Sequence, residues 1–80
     1  MYSIAVRVML KDGISDPQGQ TIEKALPALG FDGIKGVRVG KLITLSLDAS
    51  DHDDAYRRAV EMCDQLLANP VIESYEVSVS

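Results

Sequence analysis

Reactive side chains are scarce in this chain, where His52 and Cys63 are the single histidine and the single cysteine. A cysteine nucleophile needs a base such as histidine within hydrogen-bond reach. His52 falls at the start of a predicted helix, whereas Cys63 lies on the apolar stripe of the same helix, so the two are badly placed to act together. The sequence predicts a solvated histidine and a core cysteine, because free cysteine is often buried as a small hydrophobic residue.

The acidic cluster Asp51-His52-Asp53-Asp54 offers ligands that a metal ion could use. Carboxylates in the first turn of a helix already have a physical reason to be there, since they favour the positive end of the helix dipole. The chain offers no second ligand cluster to complete a metal site. We therefore predict no metal, cofactor-binding or catalytic residue in this chain.

A third candidate is the segment that holds Gly33, Gly36 and Gly40 together with Lys35, Arg38 and Lys41. Its spacing matches neither the dinucleotide nor the P-loop fingerprint, and no helix start follows it closely. Bends and solvated charges on a strand are the favoured interpretation. A docking surface for an acidic or phosphate-rich partner stays open as the alternative.

Length and charge restrict the class of protein. Eighty residues make a single domain, residues 1–80, and a chain of this size buries only about 60–65% of the surface that its unfolded form exposes. Oligomerisation commonly stabilises so small a core, so we predict a homodimer or a higher homo-oligomer. Residues 1–47 carry six basic and four acidic side chains, and residues 48–80 carry two basic and eight acidic ones. This is too little positive charge for nucleic-acid binding. The uneven distribution suits docking between complementary protein surfaces.

The compartment is predicted from the cysteine usage and the hydropathy. A single cysteine is typical of a reducing environment. The apolar segment from Tyr2 to Leu10 is too short and too regularly alternating for a membrane span or a signal-peptide core. We expect a cytoplasmic protein that binds neither membrane nor nucleic acid.

The first two elements are a strand and a helix. Alternation of apolar residues from Tyr2 to Leu10 predicts a strand with one buried face. Asp16 is placed to cap a helix over residues 17–29, Pro17 stands at its first position, and Gly30 is suited to end it. Four apolar residues follow at helical spacing and predict its buried stripe: Ile22, Ala25, Leu26 and Leu29.

The middle segment, Gly33 to Asp48, places its apolar residues at odd positions from Val37 to Leu47. A two-residue hairpin at Gly40-Lys41 would break this parity and is rejected. A three-residue loop at 39–41 would preserve it, as would one long strand of about fourteen residues that bends or bulges at Gly40. We favour the long strand.

A second helix and a last strand complete the chain. Ser50 or Asp51 caps the helix, Asn69-Pro70 ends it, and Val71 to Val79 alternate as a strand. The order β-α-β-(β)-α-β predicts an α+β fold in which two helices cover one face of a mainly antiparallel sheet, as a reduced ferredoxin-like fold. The predicted buried stripe of the second helix comprises Ala55, Ala59, Met62, Cys63, Leu66 and Leu67.

Ordered short motifs give the chain a family resemblance that runs from Val6 to Val77. In order, they are Lys11 with Gly13, Asp16-Pro17-Gln18-Gly19, Ala25-Leu26, Leu29-Gly30-Phe31, Val37-Arg38-Val39-Gly40-Lys41, Leu66-Leu67-Ala68-Asn69-Pro70-Val71-Ile72-Glu73 and Tyr75. In this order and at these spacings the chain resembles the PurS family, the small subunit of phosphoribosylformylglycinamidine (FGAM) synthase.

The resemblance implies a dimeric, non-catalytic subunit that joins an ATP-using synthetase subunit to a glutaminase subunit. It implies that ATP and Mg²⁺ bind the synthetase, and that this chain organises the complex and helps protect ammonia in transit. Arg38 shares the parity of the polar positions and should point away from the core. Lys41 falls on the apolar parity, but it follows Gly40, where a bend would swing its ammonium past the sheet edge into solvent. We therefore expect both to face a partner, which the resemblance implies is the synthetase subunit. The predicted partner-binding residues are Arg38, Gly40, Lys41, Asp16, Gln18 and Asn69.

An alternative of another class is a free-standing dimeric domain of ACT or ferredoxin-like type that senses a small molecule. Such domains also dimerise through edge strands, but they rely on glycine-lined effector pockets at the dimer seam. Capture of synthetase and glutaminase polypeptides would favour the assembly subunit, whereas thermal stabilisation of the isolated chain by an amino acid would favour the sensor.

Overall fold

Three antiparallel strands and two α-helices form the fold, as a computed structural model of residues 1–80 describes it. The central strand β1 pairs with β2 on one side and with β3 on the other. The predicted α+β class is confirmed. The elements are β1 (Tyr2–Leu10), α1 (Pro17–Ala28), β2 (Gly40–Leu47), α2 (His52–Met62), a π-helical turn (Cys63–Leu67) and β3 (Glu73–Val79).

The core lies between α2 and one face of the sheet. Val6 of β1 is fully buried, and its cross-strand partners are Ile43 and Val77. Residues directly opposite one another on paired strands point to the same face. Apolar alternation in all three strands therefore supplies one continuous apolar face. The core combines central residues of this face with residues that α2 and its extension pack against it. Its members are Ile4, Val6, Val8, Ala55, Ala59, Cys63 and Ala68.

Helix α1 begins and ends as predicted. The Asp16 side chain accepts a hydrogen bond from the Gly19 amide, and Pro17 occupies the first turn. At the other end, the Phe31 amide donates to the Leu26 carbonyl and the Gly30 amide to the Pro27 carbonyl. This pair of bonds is the Schellman arrangement, and Gly30 supplies the left-handed residue it needs with φ of 95°.

The middle strand is shorter than predicted, because β2 begins at Gly40 rather than near Gly33. Gly33 and Gly36 have φ of 78° and 68°, which a strand does not accommodate. Farther along, the Glu23 carboxylate of α1 accepts the Val37 amide, and the Asp16 carboxylate at the helix cap accepts the Val39 amide. A partner strand would otherwise bind these amides. Residues 31–39 thus form an extended connection outside the sheet.

The position of α1 also departs from the prediction that both helices cover one face of the sheet. No side chain of α1 belongs to the core, and Gly19 is the only buried residue in the helix. The chain measures 51 × 25 × 15 Å. A nine-residue strand and a twelve-residue helix placed end to end span about 30 and 18 Å, which nearly accounts for the longest dimension. Helix α1 therefore extends beyond the sheet.

The connection from α2 to β3 is longer than the sequence indicated. The helix starts at the predicted Asp51 cap, whose side chain accepts the Asp54 amide. It then widens into the π-helical turn, and β3 starts at Glu73 instead of Val71. Asn69 closes the intervening turn, since its side-chain oxygen accepts the Val71 amide at 3.0 Å. None of the helices has the length and hydrophobicity needed to span a bilayer.

Candidate functional site

Four of the six predicted partner-binding residues line one cleft of about 370 Å³ between the start of α1 and the adjoining ends of the three strands. They are Asp16, Gln18, Gly40 and Lys41. The loop from β1 to α1, the connection from α1 to β2 and the turn before β3 converge here. The remaining lining residues are Val8, Leu10, Pro17, Val39 and Glu73.

Asp16 lines this cleft and accepts hydrogen bonds from two backbone amides. One carboxylate oxygen accepts from Gly19 at 2.9 Å and the other from Val39 at 2.8 Å. The bond from Val39, the bond from Gly19 and the charge of Arg38 together hold the pKa of Asp16 below its ordinary 3.8, against a smaller opposing effect of desolvation. Asp16 therefore acts as an ionised structural acceptor.

Gly40 lies where β2 starts beside β1. A Cβ atom at this position would stand 2.6 Å from the Val8 carbonyl oxygen and would also overlap the Met9 side chain. The backbone of β2 can approach this part of β1 only because residue 40 has no side chain. The predicted importance of Gly40 thus has a steric basis in the sheet.

Lys41 and Asn69 are joined by Glu73, which is not among the predicted site residues. The Lys41 ammonium lies 4.0 Å from one Glu73 oxygen, and the other oxygen accepts the Asn69 amide at 2.7 Å. The Glu73 side chain is 18% exposed, whereas that of Lys41 is 55% exposed. Register places Lys41 opposite Val8 on the core face of the sheet, as its odd-numbered parity predicted.

Arg38 lies at the rim of the cleft and points to the end of β1. Its guanidinium donates to the Leu10 carbonyl and lies 3.6 Å from the Asp12 carboxylate. Nearby, the Lys11 ammonium donates to the Pro70 carbonyl at 2.7 Å. The Arg38 side chain remains 45% exposed, so the prediction that it points away from the core is confirmed.

The chemistry of this cleft favours polar recognition. The lining residues include two carboxylates, an amide and an ammonium, but neither cysteine nor histidine. The two carboxylates of Asp16 and Glu73 already accept backbone hydrogen bonds. Gln18 and the ammonium of Lys41 are the exposed polar groups that a docked protein surface can reach.

His52 and Cys63 lie at opposite ends of α2, about 16 Å apart along the helix axis. The His52 side chain is 63% exposed, whereas Cys63 is fully buried. Burial, and then the adjacent Asp64 carboxylate, raise the pKa of the Cys63 thiol above 9.0. The two residues do not form a nucleophile–base pair in this arrangement.

Asp64 ties the end of α2 to β3. The Tyr75 hydroxyl donates to an Asp64 carboxylate oxygen at 2.9 Å. This hydrogen bond, followed by desolvation, raises the pKa of Tyr75 to about 12. The contact fastens the π-helical turn over the sheet and does not involve the cleft.

Comparison with known proteins places this geometry in a family. Residues 3–80 match the PurS family model, described as phosphoribosylformylglycinamidine (FGAM) synthase. The PurS subunit of this synthase from Methanocaldococcus jannaschii is 40% identical to the chain, and the alignment covers 99% of the chain and 95% of that relative. The PurS subunit from Bacillus subtilis is 41% identical, with coverage of 99% and 93%.

Solved structures agree with these matches. A crystal structure of M. jannaschii PurS superimposes with a TM-score of 0.91 at 40% identity and covers 100% of this chain and 96% of that one. A structure of PurLQS from Thermotoga maritima contains a chain that matches with a TM-score of 0.90 at 35% identity, with coverage of 99% and 96%.

Proposed function

The chain belongs to the PurS family of FGAM synthase subunits, and from this premise we propose that it is the assembly subunit of an FGAM synthase complex. That complex converts formylglycinamide ribonucleotide, ATP, glutamine and water into FGAM, ADP, phosphate and glutamate, a step of purine biosynthesis. The chain joins the synthetase subunit to the glutaminase subunit and aids the transfer of ammonia between them.

The observation that carries this proposal is the full-length match to a chain of the Thermotoga maritima PurLQS structure. Both chains are covered almost completely, so the likeness is not confined to a common sheet motif. The same match favours an assembly subunit over the free-standing sensing domain.

Three further features belong to the proposal. The chain forms a homodimer or a higher homo-oligomer, ATP and Mg²⁺ bind the synthetase subunit, and the complex works in the cytoplasm. No residue of this chain takes part in bond making. Its contribution is to hold the two active subunits so that ammonia passes between them without loss to water.

The cleft between α1 and the strand ends supplies a docking surface for this role. Arg38 and Lys41 present half-exposed cations at its rim, and Gln18 offers a neutral amide. Cations at the rim of an interface direct approach and orientation more than they add affinity. We assign the synthetase subunit as the partner that contacts this surface.

Reconstitution from the cognate subunits tests the proposal. FGAM formation is measured with synthetase and glutaminase in the presence and absence of this chain, first with glutamine and then with an ammonium salt as nitrogen source. We expect glutamine-dependent synthesis to require the chain and ammonium-dependent synthesis by the synthetase to proceed without it. Equal glutamine-dependent rates with and without the chain would contradict the assembly role.

A further inference from the structure

The π-helical turn removes Leu66 from the buried stripe of α2. The sequence predicts this leucine in that stripe, since it follows Ala59 and Cys63 at helical spacing. In the structure the Ala68 amide donates to the Cys63 carbonyl, a wider turn than that of an α-helix, and both of these residues are buried. The stripe therefore continues from Cys63 to Ala68. Leu66 lies between them and is 83% exposed, so its prediction as a core residue is wrong.

A second aliphatic side chain is exposed in the same connection between α2 and β3. Val71 is 77% exposed, and Met1 is the only large hydrophobic residue that is more exposed than Leu66 or Val71. Single exposed apolar residues are ordinary on a protein surface. These two, however, are only five positions apart within one connection. We refer to Leu66 and Val71 as the apolar pair.

Hydrogen bonds order the connection that carries the apolar pair. At its start the Tyr75 hydroxyl donates to the Asp64 carboxylate at 2.9 Å. Farther along, the Asn69 side-chain oxygen accepts the Val71 amide at 3.0 Å. A surface that is already ordered loses less conformational entropy when it binds a partner. The apolar pair is therefore presented in a form suited to docking.

The same connection adjoins the cleft between α1 and the strand ends. One oxygen of Glu73 accepts the Asn69 amide at 2.7 Å, and the other lies 4.0 Å from the Lys41 ammonium. The Lys11 ammonium donates to the Pro70 carbonyl at 2.7 Å. Glu73 and Lys41 line the cleft, whereas Asn69 and Pro70 belong to the connection. The apolar pair and the cleft are thus parts of one continuous surface.

This surface has the composition of a protein interface. Such interfaces combine an apolar centre with a polar rim. Arg38 and Lys41 supply half-exposed cations, and the apolar pair supplies aliphatic side chains that water now surrounds. Leaving aliphatic side chains in water forgoes the free energy of burying them, and π-helical turns occur frequently at functional sites. A docked partner accounts for both features.

We propose that the apolar pair inserts into an apolar recess of the synthetase subunit, beside the surface that contacts Arg38 and Lys41. The inference rests on the proposed function and specifies the side chains that supply affinity. The cations direct approach and orientation, whereas burial of the apolar pair favours the bound state. Continuity with the cleft assigns both groups of residues to one partner, in preference to the glutaminase subunit or a second copy of the chain.

Binding of the cognate synthetase subunit, measured by calorimetry, tests the inference with matched variants. Leu66→Gln with Val71→Thr makes both positions polar without adding charge, and glutamine keeps a good helix former. We expect affinity to fall at least about tenfold, and by the same factor at low and high salt, because salt screens charges. The control Leu42→Gln alters a leucine that is 64% exposed on the outer face of the sheet. It should bind within about twofold of wild type.

A second measurement uses methyl NMR of the wild-type chain with a gadolinium chelate that relaxes solvent-exposed groups. In the isolated chain we expect the methyl groups of Leu66, Val71 and Leu42 to relax strongly. Addition of the synthetase subunit should protect those of the apolar pair and leave those of Leu42 accessible. Addition of the glutaminase subunit alone should protect none of them. Protection by the glutaminase alone would overturn the inference.

The outcomes separate this inference from the proposed function. Affinity of the double variant equal to that of wild type, or an equal loss in the Leu42 control, would overturn the insertion and leave the assembly role intact. Self-association that the double variant abolishes in sedimentation would assign the apolar pair to a second copy and overturn it as well. If the double variant unfolds, Val71→Thr alone decides, since it keeps the side-chain shape, and wild-type affinity would then overturn the insertion. Failure of the wild-type chain to bind the synthetase would contradict the proposed function itself.

Discussion

The carboxylate of Asp16 lies 2.8 Å from the amide nitrogen of Val39, although the two residues are 23 positions apart. The same carboxylate caps α1 by accepting the Gly19 amide. One side chain thus begins the helix and holds the residue that precedes β2. The orientation of α1 relative to the sheet is therefore coupled to the cap of the helix.

Acid should destabilise the fold through two carboxylates. Hydrogen bonds from the Val39 and Gly19 amides, and then the charge of Arg38, lower the pKa of Asp16. The Ser50 amide, followed by Arg58, lowers that of Asp54. A depressed folded-state pKa contributes stability that is full above the unfolded value near 3.8 and is lost as pH falls through the lower folded value. Urea unfolding midpoints should therefore decline below about pH 4.

Matched variants test whether Asp16 and Asp54 cause this loss of stability in acid. Asp16→Asn with Asp54→Asn should lower stability at neutral pH and make the unfolding midpoint less sensitive to acid. Asp32→Asn, which removes a carboxylate from the exposed connection after α1, should keep the acid dependence of the wild type. An unchanged acid dependence in the double variant would show that other groups are responsible.

Substitution of Gly40 should disturb the start of β2. Gly40→Ala puts a Cβ 2.6 Å from the Val8 carbonyl oxygen and against Met9, and overpacking of this kind costs about 1–3 kcal/mol. Adding Met9→Ala should recover part of the loss, since it removes the flexible neighbour but leaves the backbone contact. Chemical denaturation of the wild type, the two single variants and the double variant gives the coupling free energy between positions 9 and 40. Full recovery in the double variant would mean that the carbonyl contact is unimportant.

The isolated chain should have no glutaminase, ATPase or metal-dependent activity. His52→Ala changes an exposed residue, and Cys63→Ala shortens a buried one at a cost of about 1 kcal/mol. Glutamine-dependent FGAM synthesis by the reconstituted complex should stay within a few-fold of wild type for both. A hundredfold loss, about 2.7 kcal/mol of transition-state stabilisation, in a variant with normal circular dichroism would show that one of these residues serves the chemistry.

Local signals predicted the helix ends well. Asp16, Pro17 and Gly30 act on backbone groups within a few residues, so their roles follow from the residue types alone. The position of α1 did not follow, because an apolar stripe does not specify where the helix lies. That position depends on contacts of Asp16 and Glu23 with residues 37–39, which are distant in sequence.

The sequence likewise indicated only part of the candidate site, because some of its contacts join residues that are distant in sequence. Asp16, Gln18, Gly40 and Lys41 were expected at a partner surface, and the structure gathers them in one cleft. Glu73 was missed, since its bonds to Lys41 and Asn69 exist only after β3 and β2 have been placed on either side of β1. Its position three residues after Pro70, within the motif that ends at Glu73, was the available sequence signal.

Neutralising the cations at the cleft should weaken complex assembly more than it weakens the fold. Arg38 and Lys41 make ion pairs of 3.6 and 4.0 Å with Asp12 and Glu73, and all but Glu73 are substantially exposed. Exposed pairs of this kind contribute about 0–1 kcal/mol to stability. Arg38→Gln with Lys41→Gln should therefore change the melting temperature little, and a partner surface that uses these charges should bind more weakly.

Salt dependence of binding to the synthetase subunit gives the decisive comparison. Because exposed charges are screened by salt, we expect the double variant to bind more weakly at low salt and to lose less affinity as salt rises. The control Arg7→Gln with Lys24→Gln removes the same total charge, from the outer face of the sheet and from α1. Its loss of binding free energy should be no more than half the loss measured for the Arg38/Lys41 variant. Equal affinities and salt slopes for wild type and the Arg38/Lys41 variant would show that these cations are ordinary solvated surface.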